Sequence, residues 1–596
     1  MSLLVPKLET KKSPRFYSLC RLLHISTVLA VSGSLLSGVM RHPGLVYFGL
    51  GVCVLVVFKR RGKVFTAFGT ARWATSGDLR AVGMIGASRG PLLGHVVDGG
   101  KPPILKAAVE LFDPMIPAEV ACRQFLSSLH FFQKATLNPE LVRMPKAVHT
   151  AYFAPTGVGK GVSCIIPFLL TSDETVVVVD FKGENFHKTA EHRKKLFKHK
   201  IVVVDPFCMV SESPDTFNPL DSIDRNSPTA IDEVRAWAGE LVLRTGRETD
   251  PHWISAAETW IAAMLALVVR YGEAEDRSLQ TVRTLLTDPE KMAMAIKLMC
   301  ASDAWDGMLA RMGHQLTQFR DKELGSTLTT TNRFLRFLDT LAIAASTKTS
   351  SFDPNDLRRG RMTVYLVLPP EHMRAQSPLL RMWIGSLLRA VVRGGLQEER
   401  KVNFILDESA SLGKMEAVDD AVDKYRGYGV RLQFYYQSMG QLKLCFPDGQ
   451  DQTLLSNVSQ VFFGVNDLAT AEYVSNRLGE GTIVINSGGG SFGRSQQTSN
   501  RGEGSSSIST NENHNWAQHG RKLLKPEEVM ALPERIAIAF TPGVPPIFTR
   551  LVRYYEDALL LKIPKQSEQF RAKTGMFAES LALLIAAAML AIAALG

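Results

Sequence analysis

Residues 154–163 read Ala-Pro-Thr-Gly-Val-Gly-Lys-Gly-Val-Ser, between a strand-like run at 148–153 and an apolar run at 164–170. Strand, glycine-rich turn, lysine and helix form the layout of a loop that cradles phosphate. Gly157 and Gly159 permit the required dihedrals, backbone N–H groups at the helix start face the anion, and Lys160 reaches the outer phosphates. Thr156, Gly157, Val158, Gly159, Lys160, Gly161 and Val162 are the residues such a loop would lay against a nucleotide. Two positions depart from the general pattern. Ala154 replaces the usual first glycine, and Gly161 stands where a serine or threonine hydroxyl normally holds Mg²⁺. An ordinary strand-to-helix turn has the same outline, so the loop needs support from elsewhere in the chain.

Residues 402–408, Val-Asn-Phe-Ile-Leu-Asp-Glu, supply it. A parallel strand buried on both faces is almost continuously apolar, so acids emerge only at its end. There Asp407 would orient Mg²⁺, usually through a water, and Glu408 would polarise the water that attacks the γ-phosphate. A solvated Asp-Glu pair has the same signature; its combination with the Lys160 loop favours the nucleotide. The strand-like run 430–436 ends at Gln437, which could hydrogen-bond a γ-phosphate or the lytic water, or be a loop glutamine with no partner. Arg426 lies on the glycine-flanked turn Lys424-Tyr425-Arg426-Gly427-Tyr428-Gly429. In a ring of subunits it could reach a neighbour's nucleotide; a solvated surface arginine reads identically.

With these residues in order, the chain resembles the type IV secretion coupling proteins, the TraG-like conjugation ATPases, a membrane-anchored branch of the RecA-like FtsK/HerA-type motors. The resemblance runs over nearly the whole sequence. It includes Gly69-Thr70-Ala71-Arg72-Trp73-Ala74, the Gly-Lys-Gly at 159–161, Asp180-Phe181-Lys182-Gly183-Glu184 and Phe217-Asn218-Pro219-Leu220. Asp250-Pro251-His252-Trp253, the segment 407–413, Arg426-Gly427-Tyr428-Gly429, Gln437 and Leu523-Leu524-Lys525-Pro526-Glu527-Glu528 complete it. Many of these proteins share the glycine at the Gly161 position, which leaves the magnesium hydroxyl unassigned, with Ser163 as a candidate. The resemblance implies a hexameric ATPase using ATP and Mg²⁺ at the cytoplasmic mouth of a secretion channel. Arg426 and Gln437 match the family's arginine-finger and γ-phosphate-sensing positions. Implied partners are single- or double-stranded DNA, relaxase or protein effectors, and channel components.

The elements that must position these residues follow. Asp180 and Asp205 each close a valine-rich run, separated by a basic helical stretch, which is βαβ grammar and implies a parallel sheet. Asp180, Lys182 and Glu184 lie at a strand end, where either a ligand role or a structural turn is expected. Histidines 187, 192 and 199 in the basic stretch fit no metal spacing and are expected to be solvated. Strand character disappears over 226–345, where Trp253, Trp260, Ala263, Leu265 and Val268 mark an apolar core helix. The expected fold is α/β: a RecA-like P-loop nucleotide-binding domain with an all-helical insertion, plus an N-terminal transmembrane hairpin. The expected divisions are 1–62, cytoplasmic N-terminus and two transmembrane helices; 63–144, juxtamembrane region; and 145–225, first part of the nucleotide-binding domain. They continue with 226–345, all-helical domain; 346–565, second part, with a flexible loop or long hairpin tip at 487–520; and 566–596, an apolar tail.

At 596 residues the chain exceeds one core, and its net charge of +11 suits polyanions and anionic lipid alike, so charge does not choose a partner. Seven scattered cysteines with no C-x-x-C spacing suggest reduced thiols in a cytoplasmic domain. Apolar runs at 22–40 and 44–58 are flanked by lysines and arginines on both outer sides. The positive-inside rule then places both ends in the cytoplasm of a bacterial inner membrane hairpin. An FtsK-type DNA pump and a non-hydrolysing membrane receptor are the alternative functions. The former usually has more spans and a long linker; the latter fits poorly with Lys160, Asp407, Glu408 and Gln437 all present.

Overall fold

The computed structural model describes residues 67–97, 125–126, 141–242, 250–397, 399–447, 449–498, 504–556 and 560. The expected membrane hairpin and the apolar tail lie outside these described residues.

An eleven-stranded sheet organises the chain in the order β2-β1-β13-β12-β9-β3-β8-β7-β4-β6-β5. The parallel part is β9 (Val458–Phe463), β3 (His149–Phe153), β8 (Val430–Tyr436), β7 (Val402–Leu406), β4 (Thr175–Asp180), β6 (Met362–Val367) and β5 (Lys200–Val204). Burial on both faces is why these segments are so apolar: every residue of β3, β4, β6, β7 and β9 is buried. Beyond β9 the sheet continues antiparallel through β12 (Ile536–Phe540), β13 (Ile547–Arg550), β1 (Leu92–Val96) and β2 (Leu141–Arg143).

The chain leaves β3, passes through the helix Ile166–Thr171, and returns as β4 two places away, with β8 and β7 filling the gap. Aligned pairs such as Phe153 with Tyr436, Leu406 with Phe434 and Val178 with Ile405 bring the C-terminal ends of β3, β8, β7 and β4 side by side. A crevice outside those ends is where open α/β sheets bind ligands.

Between residues 230 and 346 the described elements are helical. The helix Pro251–Tyr271 is started by Asp250, whose side chain accepts from the His252 amide, with Pro251 at its first position. It is the one helix among the described residues long and apolar enough to cross a membrane, but its apolar side chains are mostly buried within the protein. Trp260, Ala263, Leu265 and Val268 are buried as expected, while Trp253 in the first turn is half-buried.

Two expectations meet the structure differently: 487–520 takes the hairpin alternative, and the reading of the histidines needs revision. The stretch 487–520 takes part in a two-stranded antiparallel ribbon, β10 (Glu480–Thr498) and β11 (Gly504–Lys522), paired from Glu480–Lys522 to Thr498–Gly504. A ladder joins backbone groups and needs no apolar side chains, so serine, glycine and asparagine do not prevent it. The ribbon's base is joined by the segment from Gly69: the Ala71 amide donates to Glu480 O at 3.1 Å, and Thr70 bridges Gly481.

The histidines are the second case. His187 is exposed and His192 half-buried, but His199 is buried, bonded to Thr363 Oγ1 (2.9 Å) and Asp173 O (3.0 Å), and burial pulls its pKa down to about 4. Beside it Arg193, on the helix Glu184–Lys195, is fully buried. Its guanidinium donates to Leu169 O (2.7 Å), Ser172 O (2.8 Å), Glu174 O (2.6 Å) and Thr363 Oγ1 (2.7 Å). This fork closes the C-terminal end of the helix that follows the Lys160 loop and fixes the entry into β4. Arg193→Met should keep the bulk but leave these acceptors unpaired, costing about 3–5 kcal/mol of stability. A clear drop in the thermal midpoint is the expected result; an unchanged midpoint would mean that the carbonyls are satisfied without the guanidinium.

Candidate nucleotide site

The loop after β3 has the conformation that its glycines imply. Gly157 and Gly159 hold φ of 92° and 101°, values that side-chain-bearing residues rarely adopt. The Ala154 amide donates to Tyr436 O at 3.0 Å, so the loop leaves the sheet paired with β8. On the other side Gly464, just past β9, has φ 60°, and a Cβ there would lie 2.8 Å from Val158 Cγ1. Sequence reasoning missed Gly464; only its place after a strand hinted at it.

The helix start is wide. Residues Gly161–Ile165 form one π turn, and the Ile166 amide donates to Gly161 O. Pro167 follows and has no N–H to donate, so an ordinary ladder is interrupted here in any case. Nothing lies within 4 Å of where a Gly161 side chain would begin, so the position usually filled by a hydroxyl is open space. Ser163 is buried, and its amide donates to Gly159 O at 2.9 Å. Its hydroxyl lies close to the loop: a Cβ built on Gly159 would be 3.5 Å from Ser163 Oγ.

Lys160 folds back into this cradle, nearly buried, with Nζ donating to Ala154 O at 2.8 Å. Burial lowers its pKa, and the Glu408 and Asp407 carboxylates oppose that shift, which places all three in one electrostatic neighbourhood. Burial first, then the Glu408 charge, push the Asp407 carboxyl up to about 6, while Lys160 pulls the other way. Glu408 holds a left-handed backbone at φ 52° and ψ 49° and begins the short turn Ser409–Leu412. Its carboxylate accepts from Gln437 Nε2 at 3.3 Å. Gln437 is held in turn by its own amide, which donates to Gln441 Oε1 at 2.7 Å. Lys160, Asp407, Glu408 and Gln437 therefore meet where the strand order predicts a crevice.

Asp180 supplies structure at the end of β4. Its buried carboxylate accepts from the amides of Phe186 (2.9 Å) and Lys182 (3.3 Å), and burial raises its pKa against those bonds. Lys182 is exposed and contributes positive charge toward Lys160.

Arg426 is not part of this group. It is exposed on the turn Tyr425–Tyr428, before β8, whereas Gln437 follows that strand. The seven-residue strand sets them roughly 20 Å apart at ~3.3 Å per residue. Its guanidinium makes no hydrogen bond or ion pair among the described residues.

A family model described as type IV secretory system conjugative DNA transfer matches residues 127–581, more than half of the chain. The chain belongs to that family. It is 29% identical over 448 residues to a VirD4 protein of Rhizobium rhizogenes, covering 74% of this chain and 62% of that one. It is also 24% identical over 561 residues to a conjugal transfer protein TraG of Escherichia coli, covering 88% and 83%. The chain thus spans under two thirds of the VirD4 relative's length. Among solved structures it is similar to the bacterial conjugative coupling protein TrwB in complex with sulphate, with TM-score 0.55, 17% identity, and 83% and 96% of the two chains covered. TrwB in complex with the non-hydrolysable ATP analogue ADPNP gives TM-score 0.51 at 18% identity, over 69% and 87%. These likenesses establish the RecA-like nucleotide-binding fold for this member of the family.

The raised Asp407 carboxyl has a measurable consequence in the nucleotide-free protein. The folded chain holds this proton more tightly than the unfolded one, so the group's stabilising contribution is complete below about pH 4 and is lost as pH rises through 6. Asp407→Asn should therefore be more stable than wild type at pH 8, by about 1–3 kcal/mol. The gap should close as pH falls from 6 toward 4 in thermal melts recorded across that range. A gap that does not change with pH would rule out a raised Asp407.

Proposed function

We propose that this chain is a membrane-anchored, hexameric ATPase that recruits DNA–relaxase complexes, protein substrates or both, and drives them into a type IV secretion channel. The Glu408–Gln437 hydrogen bond beside Lys160 and Asp407 is the observation that carries the reading. It supports reading Gln437 as a γ-phosphate sensor bonded to the carboxylate that would orient water, at the strand ends where the phosphate loop lies.

The residues present fit a magnesium–nucleotide complex. Gly157 and Gly159 open the backbone to an anion, Lys160 offers an ammonium, Asp407 a carboxylate with little competing solvation, and Gly161 an open flank. TrwB, which shares this fold, is described in complex with ADP and Mg²⁺. Bound magnesium–ATP would supply the phosphoanhydride and divalent charge that Asp407 holds, with Ser163 the candidate hydroxyl. Lys160 would exchange its bond to Ala154 O for the outer phosphates, Glu408 would orient and polarise the attacking water, and Gln437 would sense the γ-phosphate from the end of β8. Arg426, too far from its own site, completes that of the next subunit in the ring.

Coupling proteins of this family would work at the bacterial inner membrane. The N-terminal apolar pair would cross that membrane, keeping the N-terminus and motor in the cytoplasm and facing ATP.

The test is ATP hydrolysis by detergent-solubilised full-length oligomers, with and without single- and double-stranded DNA. Lys160→Ala and Arg426→Ala should each lower turnover by at least about 100-fold. Mixing the two variants should restore part of it, because some interfaces then pair an intact Lys160 with an intact Arg426. Oligomers that bind ATP without Lys160-dependent turnover under any DNA condition would instead establish the non-hydrolysing receptor.

A further inference from the structure

The helix Pro370–Arg393 carries Ser377, Arg381, Gly385 and Arg389 at four-residue spacing, along one face. That face touches two elements distant in sequence. On one side is the turn that Glu408 begins: Ser377 Oγ donates to Ser411 O at 3.1 Å, and Arg381 Nη1 donates to both Leu412 O and Lys414 O at 2.7 Å. On the other is the helix Ala230–Leu241, where Arg381 Nε donates to Glu240 O at 3.1 Å. The buried Glu240 carboxylate is gripped by Arg389 through bonds of 2.6 and 3.3 Å. Gly385 leaves room for it, since a Cβ there would come within 2.2 Å of Glu240 Oε2.

Arg381 is itself buried, yet it spends its donors on three backbone carbonyls while Arg389 holds the nearby carboxylate. A guanidinium fork that spans carbonyls of two elements fixes their separation, which a flexible ammonium does poorly. What it fixes matters because Glu408 has φ 52°, a conformation that a residue with a side chain keeps only when its surroundings impose it. From below, Ser409 Oγ donates to Leu406 O at 2.6 Å and accepts from the Tyr435 amide at 3.0 Å. Arg381 holds the turn's other end.

We propose that Arg381 is a positioning residue for Glu408, locking the turn that Glu408 begins and tying it to the helical region through Glu240. This rests on the proposed role of Glu408 in orienting water. Glu240 keeps Arg389 as its partner when Arg381 is replaced, so substitution strands no buried charge.

The experiment compares full-length oligomeric wild type, Arg381→Gln, Arg381→Lys, Glu408→Gln and the Arg381→Gln/Glu408→Gln pair. The readouts are kcat, KM and affinity for a fluorescent ATP analogue. Arg381→Gln should lower kcat by about 10–100-fold with nucleotide affinity unchanged, and Arg381→Lys should recover part of the loss. The double variant should be no slower than Glu408→Gln alone, because both changes act through one group. Should Arg381→Gln not fold, Ser377→Ala is the milder probe, with a smaller loss of kcat at unchanged affinity expected. Wild-type kcat in whichever variant folds, parallel loss of affinity and turnover, or additive losses in the double variant would each overturn the assignment. If wild type itself lacks Lys160-dependent turnover, the ATPase reading has failed and the assignment falls with it. If wild type turns over and the variants match it, only the assignment falls.

Discussion

Parallel pairing fixes strand ends relative to one another, because a slip of one residue would turn every side chain to the opposite face. In β3, β8, β7 and β4 both faces are buried, so no alternative register keeps the core intact. The ends of these strands are then set by packing rather than by anything at the site. The phosphate-type loop, Gln437, the Asp407-Glu408 pair and the Asp180 turn inherit their positions from it. A group of polar residues drawn from four distant parts of the chain is held together by valines, phenylalanines and tyrosines that do no chemistry.

What the core sets up, electrostatics must tolerate. Two adjacent carboxylates and a nearly buried ammonium occupy one neighbourhood, and the apparent cost is visible in Asp407, raised by burial and by Glu408. Lys160 offsets part of that cost, and Asp407 and Glu408 in turn oppose the loss of charge on Lys160. Such a balance makes a poor stabilising element. On the proposed reading, its value lies in holding charges ready for an anion and a divalent cation that would neutralise them, the preorganisation that electrostatic catalysis relies on.

The parts of this arrangement that were legible in sequence are those that are local or doubly buried. The loop around Lys160 can be read because glycine, lysine and helix start are contiguous; the Asp407-Glu408 pair can be read because an apolar strand ends there. Gln437 was legible as a strand end, though its bond to Glu408 was not. The rest depends on chain segments meeting from afar. Arg193 and His199 look like members of a solvated basic helix, yet the fold brings carbonyls of 169, 172 and 174 over them. The ribbon of 480–498 and 504–522 was legible only as one of two alternatives, loop or hairpin, because backbone pairing leaves no mark on side-chain chemistry. Of Ser377, Arg381, Gly385 and Arg389, only the glycine carries a sequence signal, and sequence reasoning missed it. A glycine inside a long helix costs about 1 kcal/mol against alanine, which signals a close neighbour, but nothing in the sequence names Glu240 as that neighbour.

The strand β8 shows how these constraints combine. Its C-terminal end delivers Gln437 to Glu408, while the turn before it exposes Arg426 at the opposite edge of the sheet. A rigid strand packed between β3 and β7 cannot bring both ends to one nucleotide. On the proposed reading, each end therefore serves a different site, Gln437 the site of its own chain and Arg426 that of the next. On that reading a displacement of β8 at one site would be felt at the other, because seven buried or half-buried strand positions join the two residues. In the proposed ring, the sheet itself would couple hydrolysis between neighbours.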